Sequence, residues 1–158
     1  FVERIGVSRG IARDTLGTIV AICLIVSAFG SLAPILAGGR YSRGGMLFAG
    51  SLATLVAMCL LALPGSTRGF VAGALLFNFV WGWATVYLAA IIALADSSGR
   101  FLPLIGGAMS IGATVGPALS GMLIRGSDFT AVFMLCGAAA IVSALLAVAA
   151  ERRGSVAH

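Results

Sequence analysis

Five stretches of this chain carry no charged side chain and are almost wholly apolar: Leu16 to Gly38, Gly45 to Leu63, Gly69 to Ala95, Phe101 to Ile124 and Phe129 to Ala150. Each is close to the ~20 residues that a helix needs to cross ~30 Å of hydrocarbon. Backbone amides in lipid must be satisfied within their own segment, and none of the runs alternates as a barrel strand does, so each is expected to be a transmembrane helix. The expected fold is an all-α membrane protein, with five antiparallel transmembrane helices in one partial domain spanning 1–158. Composition closes the soluble route: only 9% of residues are charged and 60% are hydrophobic, whereas a water-facing surface calls for a composition of about 25% charged residues.

The connectors are short and rich in turn residues: Gly39 to Gly44, Pro64 to Arg68, Asp96 to Arg100 and Arg125 to Asp128. All ten basic residues are arginines and they punctuate the apolar runs, so the net charge of +5 marks loops and makes no face for nucleic acid. The arginines divide evenly between the two membrane faces. With the N-terminal segment set aside, Arg40, Arg43, Arg100, Arg152 and Arg153 place the first and third connectors and the C-terminus in the cytoplasm. Phe1 to Asp14 is a mixed segment that lacks the layout of a signal peptide and reads as an interhelical loop, as in a piece of a longer protein.

Membrane helices associate through small residues that let backbones approach, and the chain has 22 glycines. In the fourth run Gly112 and Gly116 stand at GxxxG spacing, followed by Pro117 and Gly121, and are expected to pack against a neighbouring helix. Ser110 and Thr114 lie on another face of that helix, where they either pack or line a polar cavity. In the third run Asn78, Trp81, Gly82 and Thr85 form one stripe, while Phe79, Trp83 and Tyr87 repeat every four residues on a different side. An amide is costly in hydrocarbon without a partner, so Asn78 is expected either to hydrogen-bond a neighbouring helix or, with Trp81 and Thr85, to line a substrate surface.

No ionisable residue lies inside any run, so no intramembrane proton relay is visible. The five acidic residues are scattered over separate loops and the lone His158 ends the chain. No acid/base pair, metal cluster or activated nucleophile is present in the pattern, and neither an enzyme nor a cofactor is expected. Cys23, Cys59 and Cys136 are isolated within apolar runs and read as small core residues.

Taken in order, the Gly-Gly-Arg-Tyr-Ser-Arg connector, the Ala-Asp-Ser-Ser-Gly-Arg connector two helices later and the glycine-rich helix with Gly116-Pro117 resemble the C-terminal half of a major facilitator superfamily transporter. The likeness covers nearly the whole chain, as helices eight to twelve of that twelve-helix fold. Arg40 and Arg43 match the family's cytoplasmic loop motif, in which Gly39 stands for the aspartate and Ser42 for the glycine. The resemblance implies an incomplete C-terminal bundle in a bacterial inner membrane and secondary transport of a small solute by alternating access. It implies gating-loop roles for Arg40, Arg43, Asp96 and Arg100, and the lipid bilayer and a missing N-terminal bundle as partners. It also implies that the third run lines the cavity while the second and fifth are outer, lipid-facing helices. A non-transporting assembly subunit and an integral membrane enzyme stay open as alternatives.

Overall fold

The structure, a computed structural model, describes residues 2–37, 43–95, 99–100, 102–124 and 129–155. These fold into six helices and no strand: α1 Val2–Ser8, α2 Arg13–Ala37, α3 Arg43–Ala62, α4 Thr67–Ala95, α5 Leu102–Leu123 and α6 Thr130–Ser155. Four of them are long and apolar enough to cross a membrane, over Arg13–Leu36, Gly45–Ala62, Thr67–Ala90 and Pro103–Met122. The apolar part of α6 among the described residues is the shorter Thr130–Leu146. The chain is thus an all-helical protein with the makings of an integral membrane protein.

The helix α1 replaces the expected loop. Ile5 is buried on its inner face, and Gly10 takes a φ of 75° that a side chain would resist. The amides of Gly10 and Ile11 then return to the carbonyls of Val7 and Gly6 at 3.0 and 3.1 Å, a paired closure of the helix end. The helix α4 starts before its apolar run because Ser66 caps it, accepting the Gly69 amide at 3.0 Å.

The long helix α4 packs against both α2 and α3, and α3 also packs against α6. Glycine decides how closely α2 and α4 approach. A Cβ added at Gly82 would fall on the Ser27 carbonyl, and one added at Gly30 on the Phe79 carbonyl. At the α3–α4 contact, a Cβ at Gly73 would stand 2.9 Å from the Ala57 carbonyl oxygen. These backbone-to-backbone approaches are what small residues permit in a medium that does not squeeze helices together.

The buried core is small and lies at one end of the helices. Ile5, Leu16, Ile19, Cys23, Leu61, Phe70, Ala74 and Phe129 form it, with Phe70 at 0% and Leu16 at 1% exposure. Elsewhere large apolar side chains point outward, Leu24, Ile35, Met122 and Leu145 among them, as a lipid-facing surface requires. The helix α5 has only weak contacts, with α4 and α6, and just 6% of its apolar window is buried. An added Cβ at Gly112, Gly116 or Gly121 meets nothing within 4 Å. No helix among the described residues therefore uses the expected glycine face of α5, and the close crossings sit on α2, α3 and α4.

Candidate functional site

Along α3 the residues Leu47, Gly50, Thr54 and Met58 recur at steps of three and four, so they share one side of that helix. On α4 the corresponding side holds Phe77, Val80, Ala84 and Tyr87, and on α6 it holds Cys136, Ala139, Ala140 and Ser143. The three sides converge on a cavity of ≈ 320 Å³, which is also lined by Ser51, Trp81 and Trp83. Small side chains on α3 and α6 leave the space, and the aromatic side chains of α4 shape it. Among the described residues no Asp, Glu, Lys, Arg or His lines it. Phe77 and Trp81 stack in a tilted pair with ring centroids 6.4 Å apart.

Polar groups in this region are handled in two ways. Most close on their own helix one turn back. Ser51 donates to the Leu47 carbonyl at 3.1 Å and Thr54 to the Gly50 carbonyl at 2.9 Å. The indole N–H of Trp83 is the exception: it is buried and has no hydrogen-bond partner among the described residues. A buried donor left unpaired is a liability that a ligand acceptor relieves. The hydroxyl oxygens of Ser51 and Thr54 keep lone pairs free to accept, so the cavity has both donor and acceptor capacity without charge.

The expected site residues are not brought together. Trp81 reaches the cavity, but Asn78 donates to the Ala74 carbonyl at 2.9 Å and Thr85 to the Trp81 carbonyl at 2.8 Å. The stripe that holds them is committed at Gly82 to the α2 crossing. One amide proton of Asn78 is thus satisfied within its own helix. Ser110 and Thr114 on α5 are exposed and donate to the Gly106 and Ser110 carbonyls at 2.8 and 2.9 Å, away from the cavity. Pro117 lies within α5 without breaking it. Arg100 is exposed, whereas Arg40 and Asp96 lie outside the described residues, and Arg43 opens α3 with its side chain likewise outside them.

Of the three cysteines, Cys23 is buried, Cys136 is half-buried on the cavity and Cys59 is exposed, which corrects the expectation that all three are core residues. The helices α3 and α6, expected as outer helices, wall the cavity together. The sequence offers Gly50 with Thr54 and Ala139 with Ser143, each pair four residues apart, but that spacing does not say which helices meet. Among the described residues no group of His, Cys, Asp and Glu could hold a metal ion. Compared with known proteins, the chain matches no family model, no curated protein and no solved structure.

Proposed function

We propose that the chain is part of a secondary transporter that carries a small uncharged or amphipathic solute across a membrane by alternating access, with five antiparallel spans and a cytoplasmic C-terminus. The observation that carries this reading is the charge-free cavity between α3, α4 and α6, where the Trp83 indole N–H is buried without a partner. An aromatic wall with a few convergent polar groups is the usual make-up of a small-molecule site. The ordered likeness of the connectors and the Gly116-Pro117 helix to the C-terminal half of a major facilitator superfamily protein supports the same reading, and on that likeness further helices precede Phe1. The weakly packed α5, only 6% buried over its apolar window, favours a second reading as a non-transporting assembly subunit whose partner covers α5.

Counterflow in proteoliposomes of the full-length protein, with a panel of neutral and amphipathic solutes, separates the two. Transport predicts that at least one solute exchanges. Trp83→Phe, which removes the donor and keeps an aromatic ring, then weakens its half-saturation by about tenfold without loss of thermal stability, the size of one good hydrogen bond. Asn78→Ala and Thr85→Val leave half-saturation unchanged. A folded protein that exchanges no solute, or one in which Asn78 and Thr85 control affinity while Trp83 does not, refutes the site.

A further inference from the structure

A second cavity, of ≈ 590 Å³, lies where the end of α1, the last turns of α3, the Pro64-Gly65 turn and the first turns of α6 meet. Of its lining residues only Met58 also lines the first cavity. Among the described residues its one charged lining residue is Arg9. This guanidinium is held from two sides: Nη2 donates to the Leu61 carbonyl, and Cζ stands 5.5 Å from the centroid of the buried Phe70 ring. The remaining terminal nitrogen, Nη1, is buried and has no partner among the described residues. Glu3 and Asp14, the acidic residues nearest in sequence, are exposed. A cation fixed in place with an unused donor at the edge of an apolar medium calls for an anion.

The other walls say what kind of anion. Leu55, Met58, Phe133 and Met134 are apolar, and Met134 is 72% exposed, so the cavity continues into the exposed apolar surface of α6. An ion alone would use the arginine and leave this groove empty. We propose that the cavity seats one anionic phospholipid, with its phosphate on Arg9 and an acyl chain along Leu55, Met58 and Met134. Charge and apolar surface are matched together only by an amphiphile whose head sits at the ends of the helices and whose tail runs beside them.

The test is a titration of the purified full-length protein with phosphatidylglycerol in detergent, read by native mass spectrometry and by thermal shift, with inorganic phosphate and a phosphate-free diacylglycerol as parallel probes. The expected result is saturable binding and stabilisation by phosphatidylglycerol alone. Arg9→Gln is expected to weaken that binding about tenfold, the loss of one charge-assisted contact, with Arg9→Lys between the two. Met134→Trp keeps the arginine and narrows the groove, so it must also weaken binding, and it carries the test if Arg9→Gln does not fold. Unchanged binding in a folded Arg9→Gln or Met134→Trp protein overturns the proposal. Equal stabilisation by inorganic phosphate overturns it in favour of a free-anion site. Asp128 lies outside the described residues but adjoins the lining residue Phe129. Phosphatidylglycerol binding that appears only in Asp128→Asn means that Arg9 is paired within the chain, which also overturns it.

Discussion

Replacing Gly82 by alanine tests the packing argument most directly. The new methyl group would coincide with the Ser27 carbonyl of α2, which is backbone and cannot rotate aside. Restoring van der Waals contact requires the two helices to part by about 1 Å, and a gap of that size forfeits up to roughly half of the dispersion energy of each contact it opens. Overpacking of this kind costs about 1 to 3 kcal/mol. Alanine is also the better helix former by about 1 kcal/mol, but that gain applies equally at any mid-helix glycine. Gly112→Ala is therefore the control, since an added Cβ there meets nothing within 4 Å. The difference between the two variants isolates the crossing. At roughly 2 to 4 °C per kcal/mol for a chain of this size, Gly82→Ala should melt about 2 to 12 °C below Gly112→Ala in a thermal scan in detergent. Gly30 meets the same pair of backbones at the Phe79 carbonyl, so Gly30→Ala combined with Gly82→Ala should cost less than the sum of the single changes. Equal melting of Gly82→Ala and Gly112→Ala would show that α2 and α4 do not cross on these glycines.

Phe70 is fully buried beneath Arg9, and Phe70→Ala should lower stability by about 3 to 5 kcal/mol in a denaturant titration. Val7→Ala, at a position 45% exposed, should stay within about 0.5 kcal/mol of the parent. A small thiol reagent applied in detergent should modify Cys59 first, Cys136 more slowly and Cys23 only on unfolding, because they are exposed, half-buried and 3% exposed respectively. Mass spectrometry of the labelled peptides gives the order, and early modification of Cys23 would contradict the core as drawn. The Thr85 hydroxyl serves only its own helix at Trp81, so Thr85→Val should shift stability by less than about 1 kcal/mol.

The glycines show how far spacing alone can be read. Gly112 and Gly116 carry the better-known pattern, yet they face open space, while Gly30 and Gly82, each without such a partner in its own helix, meet at backbone contact. A crossing needs small residues on two different helices at matching heights, and one helix's spacing says nothing about its neighbour. Asn78 teaches the converse. The cost of an amide in lipid is real, but a one-turn return to the Ala74 carbonyl meets part of it locally, so the need for a partner does not by itself place Asn78 on the cavity.

What the sequence determined by itself was the solvent and the secondary structure. Charge-free runs near the length of a bilayer, broken by arginines and turn residues, leave no alternative to apolar helices, because the demand to satisfy every backbone group in lipid acts within each segment. Only the tertiary structure decided which faces meet. Helical periodicity grouped Trp81 with Asn78 and Thr85, yet Trp81 lines the cavity beside Trp83 and Tyr87, because the side of α4 that is left for the cavity is set by Gly82 against Ser27 and by the packing of α6 on α3. The cavity follows from that choice, since it exists only where Thr54, Trp83 and Ser143, on three separate helices, come to line one space. Contacts of that kind depend on residues far apart in the chain, and no local pattern encodes them.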